Sequence, residues 1–222
     1  MKWSEMFTSS IGKKWVMALT GLFLIVFLVV HVAINACIWA NDDGHMFGEA
    51  AHFMGGTVVV RLLEIGLMAG FIIHIVQGLV LEFQNRSKRK KGYAVAMGNK
   101  GSKWYSRSMG LLGTLILIFL VIHLSDFWIP NRNNQGWLLG PELNLYDKMK
   151  IEFQETWVVI VYILGCISLA WHLMHGFQSA FRTIGVRNKR YLVLLNSIGV
   201  AFSIIVPLAF AMMPLSFYFG WL

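Results

Sequence analysis

The chain has 222 residues, of which 57 % are hydrophobic and only 14 % charged, with a formal net charge of +8. An ordinary soluble domain is roughly a quarter charged and under half apolar, so this composition excludes a soluble fold. A spanning helix takes about 20 apolar residues, so the length holds five or six spans and leaves no room for a soluble catalytic domain; any chemistry belongs inside the bundle or on a partner.

Five apolar runs follow in chain order, at about 15–40, 58–83, 106–129, 156–181 and 191–219. The first is too long for the apolar part of a signal peptide and lacks a small-residue cleavage site, so it reads as a retained helix. The second closes on the basic segment Arg86-Ser87-Lys88-Arg89-Lys90-Lys91-Gly92, and the third is followed by the turn-rich segment Pro130-Asn131-Arg132-Asn133-Asn134-Gln135-Gly136. The expected fold is a single all-α domain, residues 1–222, forming a bundle of five transmembrane helices.

Charge predicts the orientation. Of 19 Lys and Arg, three precede the first helix (Lys2, Lys13, Lys14), eight lie from Arg86 to Arg107, and four lie between the last two helices (Arg182, Arg187, Lys189, Arg190). The other side has only Arg61, Arg132, Lys148 and Lys150. The positive-inside rule then puts the N-terminus in the cytoplasm and the C-terminus outside. The basic run 86–91 reads as a loop touching lipid headgroups or a docked subunit, not as a nucleic-acid site.

Five of the seven histidines fall inside these runs: His31, His74, His123, His172 and His175. An ionisable side chain in hydrocarbon is costly and points to function. Their placement is patterned. Phe27-Leu28-Val29-Val30-His31 nearly repeats as Phe119-Leu120-Val121-Ile122-His123, and His74-Ile75-Val76-Gln77-Gly78 resembles His172-Leu173-Met174-His175-Gly176. At 1.5 Å per residue, His31 and His123 both lie roughly 25 Å from the cytoplasmic end, and His74 and His172 roughly 15–18 Å from it.

The expectation is two opposed pairs, His31 with His123 nearer the outside and His74 with His172 nearer the cytoplasm. Two imidazoles facing each other at one depth are what six-coordinate haem b requires, so two haems b are expected, with these four residues as axial iron ligands. A macrocycle needs room, and Gly66, Gly70, His74 and Gly78 recur at every fourth position of the second run; Gly70, Gly78 and Gly176 are therefore expected to pack on the inner haem, with helix–helix packing by small residues as the other reading. His175 is read as a polar neighbour, because its counterpart is Gln77, which is no haem ligand. His45 and His52 lie in the outer loop and read as surface or quinone-mouth residues in preference to zinc ligands. Cys37 and Cys166 sit in apolar runs and read as small core residues.

Five spans, one histidine pattern in each of the first four and none in the fifth, together with Ser9-Ser10-Ile11-Gly12-Lys13-Lys14, Met17-Ala18-Leu19-Thr20-Gly21 and Trp171-His172-Leu173-Met174-His175-Gly176, resemble one family over essentially the whole chain. It is the di-haem cytochrome b subunit of succinate:quinone oxidoreductases and quinol:fumarate reductases, more narrowly the cytochrome b558 type.

The resemblance implies a respiratory complex II of the tricarboxylic acid cycle, in the inner (cytoplasmic) membrane of a prokaryote. A flavoprotein subunit would handle succinate or fumarate, an iron–sulfur subunit would connect it to the membrane, and this chain would anchor both and exchange electrons with a quinone, menaquinone above all; a higher oligomer of the complex is compatible with it. The resemblance also implies a quinone site near the outer haem, for which Glu49, His52, Arg61 and Glu64 are the candidates, with a membrane-interface anchor or ion pair as the equal reading for Arg61 and Glu64. Ser10, Trp104, Arg107 and Arg182, with Ser9 and Ser106, are candidates to bind the inner haem's propionates, with ordinary lipid-headgroup contact as the other reading. The glutamate that some fumarate reductases of the family carry two residues before the fourth histidine is Ala170 here, which leaves that proton route without its residue. Two other readings stay open: the cytochrome b of a formate dehydrogenase, hydrogenase or nitrate reductase or an ascorbate-type cytochrome b561, and a histidine-lined transporter or proton channel.

Overall fold

A computed structural model describes residues 9–55, 57–88, 104–135 and 143–222. Every regular element among them is helical, in the order α1 (Ser10–Ala36, continued by a 3-10 turn at Cys37–Ala40), α2 (His45–Gly55), α3 (Val58–Lys88), α4 (Trp104–Arg107), α5 (Met109–His123), a π turn (Leu124–Trp128), α6 (Ile129–Gln135), α7 (Leu145–Glu152), α8 (Thr156–Thr183) and α9 (Lys189–Tyr218). Five stretches are long and apolar enough to cross a membrane: Ser10–Ala40, Val58–Ser87, Met109–Asn134, Thr156–Thr183 and Lys189–Tyr218. This is the architecture of a multi-pass membrane protein. Lys2, Arg89, Lys90, Lys91, Lys100 and Lys103 of the expected cytoplasmic charge lie outside the described residues.

The spans match the apolar runs and differ at their ends, where caps decide. The first helix starts at Ser10 because Ser9 Oγ accepts the Gly12 N–H at 3.0 Å, satisfying a backbone donor the helix itself cannot. The fifth starts at Lys189 because the Asn188 side chain accepts from Arg190 N–H at 2.9 Å. The third span runs to Asn134 instead of ending near 129. Pro130 cannot donate to the carbonyl four residues back, that of Asp126, and its ring crowds it. The helix answers with the π turn, in which Ile129 N–H donates to Leu124 O, five residues back.

α8 is the most enclosed of the spans and α3 the least. α8 packs on α9, α5 and α1, while α3 packs mainly on α1 and less on α5. The helices α1, α3, α5 and α8 thus form a ring, with α1 across from α5 and α3 across from α8, and α9 lies against α8 and α1. The outward faces carry apolar side chains such as Leu19, Val26, Ile72, Leu115, Ile160 and Ile204, as a lipid-facing surface must.

The tightest core sits at the end of the bundle away from the N-terminus, here the far end. Ile38, Phe47, Tyr146, Met149, Phe153, Val158, Tyr162 and Phe217 draw α2, α7, α8 and α9 together there. The chain enters that core through a turn with φ of 57° at Asn41, 53° at Asp43 and 81° at Gly44. Gly44 is required twice over: its φ is left-handed, and a Cβ on it would stand 2.3 Å from the Tyr146 ring.

Candidate functional site

Each helix of the ring brings one histidine to the interior: His31 on α1, His74 on α3, His123 on α5 and His172 on α8. They meet across the ring as two pairs. The rings of His31 and His123 are 5.9 Å apart, centre to centre, with planes at 82°; those of His74 and His172 are 6.3 Å apart at 68°. Thr20 of α1 touches His74 at 3.0 Å and lies 11 residues before His31, so the two pairs are separated by about 16 Å along the helix. The structure brings together the same pairs that depth along the sequence predicts.

The surroundings of the pairs differ. The far pair is walled by aromatic rings. Phe27 stacks on His31 at 5.1 Å and Phe119 on His123 at 5.6 Å, each from one turn earlier on the same helix. Phe210 of α9 and Phe127 close it at 5.4 and 5.7 Å. Glycines lie beside the other pair, the N-side pair. A Cβ on Gly21 would stand 3.5 Å from the His74 ring, and one on Gly113 would stand 3.9 Å from the His172 ring. One on Gly176 would meet nothing within 4 Å, and one on Gly78 would just touch Met17 at 3.4 Å. Gly70, expected on the same ridge, is filled by the Phe23 ring, 2.9 Å from where its Cβ would be.

Gly165 is the tightest glycine beside the far pair, since a Cβ there would fall 2.6 Å from the Phe119 ring. Phe119 is stacked on His123, so Gly165→Ala is expected to move both. The expected cost is about 1–3 kcal/mol of stability, and the change is expected to disturb the far pair before the N-side pair; thermal unfolding of the detergent-solubilised chain measures the first and the response of each pair's ligand binding the second.

These residues fit a pair of axial ligands. A metal–imidazole bond of about 2.0 Å on either side of one ion leaves two ring centres roughly 6 Å apart, which both pairs satisfy. The donors come as facing twos, and a pair of imidazoles is a set that haem iron takes. Two buried polar atoms, His172 Nδ1 of this N-side pair and Gln77 Nε2 on α3, find no hydrogen-bond partner among the described residues. Gln77 is the residue that stands where α8 has His175.

The remaining candidates fall at the two ends. At the N-side end, His175 Nδ1 is hydrogen bonded to Ser106 Oγ at 2.9 Å, so it has its own polar partner beside the pair. Arg182 lines a cavity of about 380 Å³ with Lys14, Trp15, His175, Gln178 and Ser179. Ser10 and Arg107 are exposed at this end, and Trp104 packs on Trp171 with ring centres 5.1 Å apart.

At the far end the quinone candidates occupy two places. Glu49 lines a cavity of about 530 Å³ with Asp42, Asp43, His45, Asn131 and Asn144, and His52 is exposed on the same helix, α2. Arg61 and Glu64 lie in the first turns of α3, where Glu64 is the centre of a network. Its Oε2 accepts from Arg61 Nη1 at 3.1 Å; its Oε1 accepts from Trp128 Nε1 at 2.6 Å and faces Arg132 Nε at 3.0 Å. The three charged side chains are only 14–20 % exposed.

Sequence reasoning passed over Trp128 and Arg132 as partners of Glu64, and Thr20, Asp126 and Tyr162 as partners of the histidines. Asp126 was the one with a signal: an acid three residues past His123, still inside the span, is a functional candidate on energetic grounds alone. Cys37 and Cys166 are both free thiols, Cys166 buried, in keeping with a packing role. No protein-family model, curated protein or solved structure matches the chain at a significant level.

Proposed function

We propose that the chain is a di-haem cytochrome b, the membrane-anchor subunit of a succinate:quinone oxidoreductase, passing electrons between a partner iron–sulfur subunit and membrane quinone. The observation that carries the reading is the two facing histidine pairs, 5.9 and 6.3 Å between ring centres, at two levels of one membrane-spanning bundle. His31 and His123 would hold one haem b and His74 and His172 the other. Bound there, a bis-histidine haem b supplies a low-spin one-electron carrier.

The rest of the chemistry belongs to this chain's own side chains. The aromatic wall of Phe27, Phe119, Phe127 and Phe210 excludes water from the far pair and holds its imidazoles in place. Gly21, Gly113 and Gly176 leave room beside the N-side pair. Lys14 and Arg182, beside Ser179, offer cationic donors to carboxylates at the N-side end. At the far end, quinone reduction needs two protons as well as two electrons, and the Glu64 network with Arg61, Arg132 and Trp128 puts charged donors and a carboxylate at the depth where a quinone would meet the far pair.

The excess of Lys and Arg on the N-terminal side, 15 of 19, supports placing that side in a prokaryotic cytoplasm, where the flavoprotein and iron–sulfur partners would dock. The family and the partners rest on the sequence resemblance.

One spectrum tests the reading. The purified, dithionite-reduced chain is expected to show low-spin haem b at about two per chain, and a colourless preparation overturns it. Co-purification with a flavoprotein supports the succinate-linked assignment, and a molybdenum or nickel subunit in its place removes it.

A further inference from the structure

We infer that Tyr162, held by Asp126, is the positioning residue of the far histidine pair: it fixes His123 in the tautomer that keeps its proton on Nδ1 and leaves Nε2 as the free base. The inference rests on the haem reading above and adds an order among the four histidines.

Tyr162 is buried at 6 % exposure, its ring edge-on to Phe119 and Phe153 at 5.1 Å each. Its hydroxyl donates to Asp126 Oδ2 at 2.9 Å and lies 3.4 Å from His123 Nδ1. A phenol has one hydrogen, and a carboxylate only accepts. With that hydrogen on Asp126, the Tyr162 oxygen can show His123 only a lone pair, so the imidazole must be the donor. The result is a one-way chain, His123 Nδ1–H to Tyr162 O–H to Asp126. Asp126 lies in the π turn that Pro130 imposes one turn beyond His123, so the irregularity in the helix carries the carboxylate that ends the chain.

The N-side pair repeats the device with a different residue. Thr20 Oγ1 donates to Val16 O at 2.8 Å. With its single hydrogen on that carbonyl, it presents a lone pair to His74 Nδ1, 3.0 Å away. His74 is then also an Nδ1–H tautomer with Nε2 free.

Among the described residues the opposite member of each pair has no such acceptor. His31 Nδ1 faces the Asn35 amide nitrogen at 3.4 Å, a donor that also bonds the His31 carbonyl at 2.8 Å. His172 Nδ1 is buried with no partner among the described residues. Each pair therefore joins one imidazole whose Nδ1 meets a hydroxyl oxygen, on α3 or α5, to one whose Nδ1 meets no acceptor among the described residues.

A hydrogen bond from the distal ring nitrogen makes the coordinating nitrogen more basic and holds the ring in place. Basic axial ligands favour the oxidised metal, so removing the bond weakens binding and raises the midpoint potential. Two variants separate the sites, and both keep the side chain's shape: Tyr162→Phe for the far pair and Thr20→Val for the N-side pair. Membranes bearing the full chain are titrated optically against potential, and the two centres are told apart by the His74→Ala chain.

Tyr162→Phe is expected to weaken haem retention at the far centre by roughly 10–100-fold. It is also expected to raise that centre's midpoint, a tenfold change in its one-electron equilibrium being about 59 mV, with the N-side centre unmoved. Thr20→Val does the converse. Asp126→Asn, which still accepts from Tyr162 but has lost its charge, shifts the far centre in the same direction by less. If the unaltered chain carries both haems and Tyr162→Phe leaves the far centre where it was, or shifts both centres equally, the inference is overturned while the haem reading stands. If the unaltered chain carries no haem, the haem reading falls and this inference with it.

Discussion

His74→Ala or His172→Ala is expected to lower haem b from about two to about one per chain, with the surviving centre being the far one. Among the described residues each N-side histidine ring faces one other histidine ring, at 6.3 Å, so loss of either would remove one of the two axial bonds of the proposed haem. The far pair has a different source of rigidity. His31 and His123 are clamped by Phe27, Phe119, Phe127 and Phe210 within 5.1–5.7 Å, and they sit about 16 Å further along the bundle, beyond the reach of a local collapse around position 74 or 172. The converse follows for His31→Ala and His123→Ala. Haem content by extraction and a redox titration of the remaining centre are the measurements. Loss of the far centre alone in His74→Ala would refute the pairing.

Glu64→Ala is expected to carry the largest cost at the far end, roughly 3 kcal/mol of stability. Glu64 gathers Arg61, Arg132 and Trp128 within 3.1 Å, and its removal leaves two guanidinium groups close together, mostly shielded from water, without this carboxylate. Glu64→Gln keeps an oxygen for Trp128 and loses only the charge, so its stability is expected to fall less. If the network also serves quinone, Glu64→Gln raises the KM for quinone or slows the reaction at least tenfold while haem content stays at the level of the unaltered chain. Thermal unfolding reads the structural part and quinone-linked turnover the chemical part. An unchanged KM and rate in Glu64→Gln would leave the network structural and move the search to the cavity beside Glu49, which is lined by Asp42, Asp43 and His45.

Much of the site is written in the chain order because its physics is local. Hydropathy over a window reports a span, and a constant rise per residue converts sequence position to depth. That is why four histidines can be sorted into two levels without a structure, and why Phe27 and Phe119 can be placed one turn from their histidines. Span ends are less legible, since a single cap such as Ser9 or Asn188 moves them by several residues.

Residue types on a helix ridge also mislead where a neighbour's side chain intervenes. Gly66, Gly70 and Gly78 share a spacing, yet Gly70 receives Phe23, Gly78 meets Met17 and Gly66 faces open space. The three differ because what fills the space beside Gly70 and Gly78 comes from α1, not from α3.

The sequence by itself determined the five spans, the asymmetry of charge and the depths of the histidines, since each of these depends on composition along one helix. The tertiary structure alone decided which side chains serve those histidines. Thr20 meets His74 across 54 residues of chain and Tyr162 meets His123 across 39, while Glu64 reaches Trp128 across 64. Such contacts depend on which helices are neighbours in the ring and on how each is turned about its axis. A hydrogen bond forms or fails within a few tenths of an ångström. Periodicity along a single helix carries no information at that scale, and a π turn such as Leu124–Trp128 changes the facing of every residue after it.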